Sequence, residues 1–244
     1  MDGRTIITAW IKRLKTHCYW PGHCVFCGQT SDTARDCCAA CAQDLPLLQN
    51  ACTACALPLN GPFASGVLCG ACQKKHPIFD SAHAAWIYEE PVRSAIHRFK
   101  YDKQLAMGRA LSELWLQQCT SISYQNIDAL IPVPLHHSRE RPRGFNQAAL
   151  IAYDLAKHWR LPVLRASCQR IKATTEQKDL SAKQRRSNVR GAFKIKGVIP
   201  KRVAIVDDVM TSGSTANELA RVLKRAGAQH VEVWALARAV YVDK

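Results

Sequence analysis

The sequence predicts an α/β fold, a mostly parallel sheet covered by helices, preceded by a small cysteine-rich module. Three observations lead there. From about Asp80 onward, strand-length apolar runs alternate with stretches of helical periodicity, the pattern of a parallel sheet buried on both faces. One run, Val203 to Val206, ends in two acids and is followed closely by a helix. Ten of the 12 cysteines lie between Cys18 and Cys72, ahead of that alternation. A chain of 244 residues with 48% hydrophobic content has enough material for a real core and is not a disordered polar chain.

The elements follow in order. Thr5 to Lys15 places Ile6, Ile7, Trp10, Ile11 and Leu14 on one face of a short helix. From His17 to about Pro77 there is little periodicity and several turn residues, so metal rather than a core must order this block. The expected domains are therefore 1–79 and 80–244. In the second, Ala84 to Tyr88 reads as a strand and Pro91 to Lys100 as a helix with Pro at its start. Leu105 to Gln118 is a second helix, Ile127 to Val133 a buried strand, and Asn146 to Trp159 a helix. Pro162 to Leu164 is a short strand, and Gln169 to Arg190 is polar without a clear period. Val203 to Val206 is an apolar strand, Ser214 to Ala226 a helix closed by Gly227, and Val231 to Ala237 the last strand.

The net charge of +15 is uneven: residues 139–202 hold 17 basic and four acidic side chains. Such a stretch attracts polyanions, whether nucleic acid or a pyrophosphorylated sugar, with a plain solvated surface as the bland alternative. Asp2, Arg4, Lys12, Arg13 and Lys15 interrupt any secretory apolar core, and no apolar run approaches a membrane span. The expectation is a cytoplasmic chain with no membrane insertion. There thiols stay reduced, which favours metal over disulfides.

The cysteines form four C-x2-C knuckles: Cys24 and Cys27, Cys38 and Cys41, Cys52 and Cys55, Cys69 and Cys72. Two knuckles complete one tetrahedral structural zinc site. One or two sites fit, with consecutive or interleaved pairing. Cys37 can replace Cys38, and Cys18, His17 or His23 can enter the first site. Redox dithiols and incidental buried thiols are the rival readings. A closed four-cysteine site points to structure or recognition rather than catalysis, and stacking aromatics for nucleic acid are sparse there (Tyr19, Trp20, Phe26, Phe63). Cys119 and Cys168 sit alone, as small buried hydrophobes do.

The segment Val206, Asp207, Asp208, Val209, Met210, Thr211, Ser212, Gly213, Ser214, Thr215 is the most informative. It leads from a strand through a small, hydroxyl-rich turn into a helix. Gly213 allows close backbone approach, and the helix amides and dipole favour a phosphate. Asp207 and Asp208 can accept hydrogen bonds from sugar hydroxyls. An ordinary capped helix is the plain alternative. A second loop after a strand carries Pro134, Leu135, His136, His137, Arg139, Arg141 and Arg143, and reads as an exposed basic loop or an anion site.

The strand, paired acids and hydroxyl loop resemble the phosphoribosyl-pyrophosphate signature of type I phosphoribosyltransferases. Phe99-Lys100-Tyr101, Pro132-Val-Pro-Leu135, Arg139-x-Arg-x-Arg-Gly-Phe-Asn-Gln147, Thr174-x2-Gln177 and the cysteine module together resemble the ComF family (competence protein F, or GntX-like DNA-utilization proteins). The resemblance implies a type I phosphoribosyltransferase-like core that binds 5-phosphoribosyl-1-pyrophosphate (PRPP) with Mg²⁺. It implies Asp207 and Asp208 as catalytic residues on the ribose hydroxyls. Thr211 to Thr215 hold the 5′-phosphate, and Pro134 to His137 with Arg143 hold the pyrophosphate. Arg170 to Gly191 matches a loop that closes over substrate. It further implies a role in DNA uptake, natural transformation or DNA utilization, with DNA-processing proteins as partners, and the basic stretch offers Arg139, Arg141, Arg185 and Arg186 to single-stranded DNA. A pentosyl-transferring enzyme and a non-enzymatic nucleic-acid factor both fit these residues.

Overall fold

The computed structural model describes residues 22–31, 36–59, 61, 66–119, 122–173 and 189–240. The chain divides into two compact units, 1–43 and 44–244. That division falls inside the cysteine block, between its second and third knuckles, whereas the change in sequence character comes near residue 80.

In the first unit, β1 (Gly22–His23) and β2 (Thr30–Ser31) pair antiparallel. The Gly28 amide donates to the Cys24 carbonyl, and Gly28 has φ +77°. Helix α1 (Ala39–Gln43) follows. The predicted helix from Thr5 to Lys15 lies outside the described residues.

The second unit repeats the knuckle 28 residues later. Ala56 takes the place of Gly28: its amide donates to the Cys52 carbonyl at φ +54°. A left-handed alanine costs roughly 1–2 kcal/mol. Burial of its methyl in the core cluster that also holds Phe79 and Met210 offsets that cost. Helix α2 (Gly70–Lys74) carries Cys72, with Cys69 as its N-cap.

The sheet has the order β3-β8-β7-β4 and is parallel throughout: β3 (Ser81–Ile87), β4 (Ala129–Pro132), β7 (Arg202–Met210) and β8 (His230–Arg238). The segment predicted as a strand at Pro162 to Leu164 contributes a single parallel bridge, Val163 to Leu130. An antiparallel hairpin, β5 (Cys168–Arg170) with β6 (Phe193–Ile195), was not expected, because its strands are only three residues long.

Alternation along β7 and β8 divides the core. Val203 and Ile205 with Val231 and Val233 pack under α7 (Ser214–Arg225) and the hairpin. The other face meets α4 (Leu105–Gln118) and α6 (Gln147–Trp159), where Trp115, Trp159 and Trp234 pack with ring centroids 5.1–5.9 Å apart. Trp115 Nε1 donates to the Ala235 carbonyl at 2.7 Å, so its polar edge is satisfied. Helix α3 (Val92–Tyr101) buries Val92, Ala95, Ile96 and Phe99. Its Phe99 ring occupies the space left by Gly108 of α4, where a Cβ would lie 2.4 Å from the ring. Cys119 and Cys168 are buried, and burial pushes both thiols up to about 12. No helix among the described residues is long and apolar enough to cross a membrane.

Candidate functional site

Strand β7 runs to Met210, four residues past the predicted end. The acids interrupt the apolar run but not the backbone ladder, which continues with Asp207 opposite Ala235 and Val209 opposite Ala237. Both acids therefore lie within the strand, on opposite faces. Asp207 lines a small cleft with Val209, Met210, Thr211, Gly213 and Thr215. The turn is held by Ser212 Oγ, 2.9 Å from Ser214 Oγ, and by the Ser214 amide donating to Ser212 Oγ at 3.4 Å. Gly213 has φ +71° and caps α7, and a Cβ on it would lie 3.1 Å from Met210 Cε. The positive φ is what calls for glycine in the turn, and a side chain there would also press on the flexible end of Met210.

Asp208 points the other way and is buried. Its Oδ2 lies 2.8 Å from Lys100 Nζ at the end of α3. Burial works to lower the Lys100 pKa, but the charge and hydrogen bond of Asp208 outweigh it and the value rises. Asp207, half-buried, is pushed up to about 7 by burial first and then by the neighbouring Asp208 carboxylate. Lys100, the Asp208 amide that donates to Asp207 Oδ1 at 2.9 Å, and Arg170 pull it down. A raised carboxylate of this kind is common at functional sites.

The second loop is not a loop throughout. Residues 137–143 form helix α5 (His137–Arg143), with His136 as its cap and Gly144 at φ +83° closing it. His136 Nδ1 accepts from the Ser138 amide, and Asn146 Nδ2 donates to the Val133 carbonyl at 3.0 Å. These local caps outweigh Pro142, which lies inside the helix. Pro134 and His136 are buried, Leu135 is half-buried, and His137 and Arg141 are exposed. Burial, the neighbouring His137, Arg170 and Arg139 all lower the pKa of His136, which favours its neutral form. Arg143 donates to Gln147 Oε1 at 2.7 Å and lies over the Tyr101 ring. Pro134, Leu135 and His137 line a separate cavity of about 780 Å³ with Glu140, Arg165 and Arg170. The two loops border different depressions, and the field of Arg170 reaches both Asp207 and His136. Thr174, Gln177, Leu180, Arg185, Arg186 and Asn188 lie outside the described residues.

The cysteines separate into two groups, Cys24, Cys27, Cys38 and Cys41, and Cys52, Cys55, Cys69 and Cys72, with ligand atoms in each within 4.8 Å of one another. Pairing is consecutive. Cys37 and His23 stay outside the groups: Cys37 Sγ donates instead to the Cys38 carbonyl at 3.3 Å, and burial pushes it up to about 12. Four sulfurs at that spacing suit closed tetrahedral zinc, so both sites are structural.

Three site-forming residues had no role assigned from sequence. Lys100 follows Val92 and Ile96 at four-residue spacing, so it falls on the apolar stripe of α3, a signal that a carboxylate must meet it. Tyr88, just past β3, is raised by burial and shares the field of Lys100 and Asp208. Arg238 ends β8 buried, and nothing in its local sequence distinguishes it. With Asp207 and the Thr211 turn, Tyr88 and Arg238 lie at the carboxyl ends of parallel strands, where ligands of such sheets bind.

The double zinc ribbon domain family matches residues 16–73. The chain is 39% identical over 179 residues to "Competence protein F" of Haemophilus influenzae, covering 70% of this chain and 78% of that protein. It is 36% identical over 176 residues to "DNA utilization protein YhgH" of Salmonella typhimurium, covering 70% and 77%. It is 25% identical over 175 residues to "Competence protein ComFC" of Streptococcus pneumoniae, covering 70% and 74%. A solved purine phosphoribosyltransferase of Pyrococcus horikoshii aligns with 58% of this chain and 90% of its own at 18% identity and a TM-score of 0.31. A parallel α/β core follows a double zinc ribbon in the sequence, and the chain belongs to the competence protein F family.

Proposed function

We propose that this chain binds PRPP with Mg²⁺ and acts in the cytoplasm on single-stranded DNA during DNA uptake or utilization. Residues 1–79 are read as the zinc module and 80–244 as the ligand-binding domain. One observation carries the ligand half: Asp207, Thr211, Gly213 and Thr215 share a cleft at the amino end of the 12-residue helix α7. Backbone amides and hydroxyls there suit a phosphate, and Asp207 suits ribose hydroxyls. Asp208 stands behind it on Lys100. Mg²⁺, when bound, would be held mainly by substrate oxygens and water and would supply charge neutralisation to the pyrophosphate. Pro134 to His137 and Arg143 are the residues read for that group, with Pro134, Leu135 and His137 bordering a depression separate from the Asp207 cleft. In transfer, the bond from ribose C1 to pyrophosphate breaks and a bond from C1 to the acceptor forms, the acceptor proton passing to solvent. The chain's part is orientation and electrostatic stabilisation of the leaving group.

The DNA half rests on the names of the relatives and on the basic stretch of residues 139–202, with Arg139 and Arg141 on α5. A second reading, a factor that binds a phosphorylated nucleotide without reaction, is favoured by the engagement of Asp208 with Lys100, which leaves a single carboxylate facing the cleft. Calorimetry with PRPP, with and without Mg²⁺, tests the first step, and Mg²⁺-dependent binding is expected. No binding at high micromolar ligand would remove the reading. Acceptor-dependent release of labelled pyrophosphate, across bases, nucleotides and single-stranded DNA, separates the enzyme from the binding factor.

A further inference from the structure

We propose that Arg238 is a positioning residue that couples the second cysteine site to the phosphate loop, so that the order of the loop depends on metal at Cys52, Cys55, Cys69 and Cys72. The consequence for phosphate binding rests on the function proposed above; the coupling itself does not.

Arg238 is 6% exposed. Its Nε donates to the Cys55 carbonyl at 2.9 Å. Its Nη1 donates to the carbonyls of Met210 at 3.1 Å, Ala239 at 2.6 Å, and Thr211. One rigid guanidinium thus joins a metal knuckle to the two residues that open the phosphate turn. The fork geometry matters, because a lysine ammonium cannot span both groups at fixed angles.

The Cys55 carbonyl is aimed by the knuckle. Bound metal would hold the Cys52 and Cys55 sulfurs; the Ala56 amide closes the turn on the Cys52 carbonyl at 2.8 Å, and Ala56 sits in the same core as Met210 and Phe79. A second tie comes from the segment just after Cys72. The Ile78 amide donates to Asn217 Oδ1 at 2.7 Å in the first turn of α7. The turn is therefore held at its entry, through Thr211, by Arg238, which also holds Cys55, and at its exit, through Asn217, by the chain that follows Cys72. Among the described residues, the side-chain bonds within the turn are those between Ser212 and Ser214. Without metal, four thiols lose their common anchor, the knuckle opens, and both grips loosen.

The test uses the full chain and amide hydrogen exchange read by mass spectrometry, with zinc content measured alongside. The Cys69→Ser/Cys72→Ser double variant should lose about one zinc equivalent. Exchange across residues 209–217 should rise about tenfold, with helix α4 (Leu105–Gln118) unchanged. Arg238→Lys should give the same rise at 209–217 with its zinc retained, and decides the matter if the cysteine variant unfolds α4 as well. Affinity for ribose 5-phosphate should fall about tenfold in Arg238→Lys, the loss of a charged hydrogen bond. Unchanged protection at 209–217 in Arg238→Lys overturns the coupling. If the wild type binds neither ribose 5-phosphate nor PRPP, the functional reading fails, while the exchange result still decides the coupling.

Discussion

Replacing Asp207 and Asp208 separately by asparagine should change stability in opposite directions. Asp207 has its proton affinity raised from 3.8 to about 7 in the folded chain. That is the reverse of the usual carboxylate. The folded state binds this proton more tightly than the unfolded one, so stability falls as pH climbs from about 4 to about 7 and then levels off. Three pKa units set a ceiling of ~4 kcal/mol. Because Asp207 is half-buried and water screens it, about 1–2 kcal/mol is the working figure. Asp207→Asn removes the penalty, so the ligand-free melting temperature near pH 8 should rise by roughly 2–8 °C, and the gain should vanish near pH 4. Asp208→Asn leaves Lys100, whose side chain is 17% exposed, without its partner. A fully buried broken pair costs about 3–5 kcal/mol, and partial hydration of Lys100 reduces this to roughly 2–3 kcal/mol of destabilisation. Both variants should bind PRPP about tenfold more weakly or worse. Calorimetric melting across pH, without divalent ions, reads the first effect. An Asp207→Asn variant that melts below wild type at pH 8, or whose shift ignores pH, refutes the reasoning.

Other outcomes follow from the same structure. Protein purified without added zinc should carry about two equivalents, because two four-sulfur sites are formed; metal analysis that finds none would defeat both. Gly108→Ala should lower stability by about 1–3 kcal/mol in denaturant titration, since its Cβ would meet the Phe99 ring; an unchanged midpoint would mean the helices part without cost. Single-stranded DNA should bind with an affinity that falls steeply with salt, and alanine at Arg139 and Arg141, or at Arg185 and Arg186, should flatten that slope by roughly one unit per lost phosphate contact. A slope that these changes leave untouched would remove the basic stretch from DNA binding.

Much of the site was legible in the residues because it depends on local order. The strand-to-helix passage with Gly213, the knuckle spacing and the helix of Leu105 to Gln118 are each set by neighbours a few positions away. Short elements were less legible. Helix α5 depends on His136 and Gly144 as caps, which a basic, proline-containing run obscures, and the β5–β6 hairpin has too few residues to show a period.

The sequence by itself determined which atoms are available: eight sulfurs in four knuckles, a hydroxyl turn with a glycine that backbone geometry demands, and paired acids on one strand. Only the tertiary structure decided what those atoms face. Pairing of the knuckles needs distances across the chain, and the groups of four within 4.8 Å make it consecutive. Adjacent acids look equivalent in a sequence, but a strand turns successive side chains to opposite faces. Asp207 therefore lines the cleft while Asp208 meets Lys100, more than a hundred residues away. Arg238 carries no local signal, because its partners at Cys55 and Met210 are backbone carbonyls, which every residue type supplies equally.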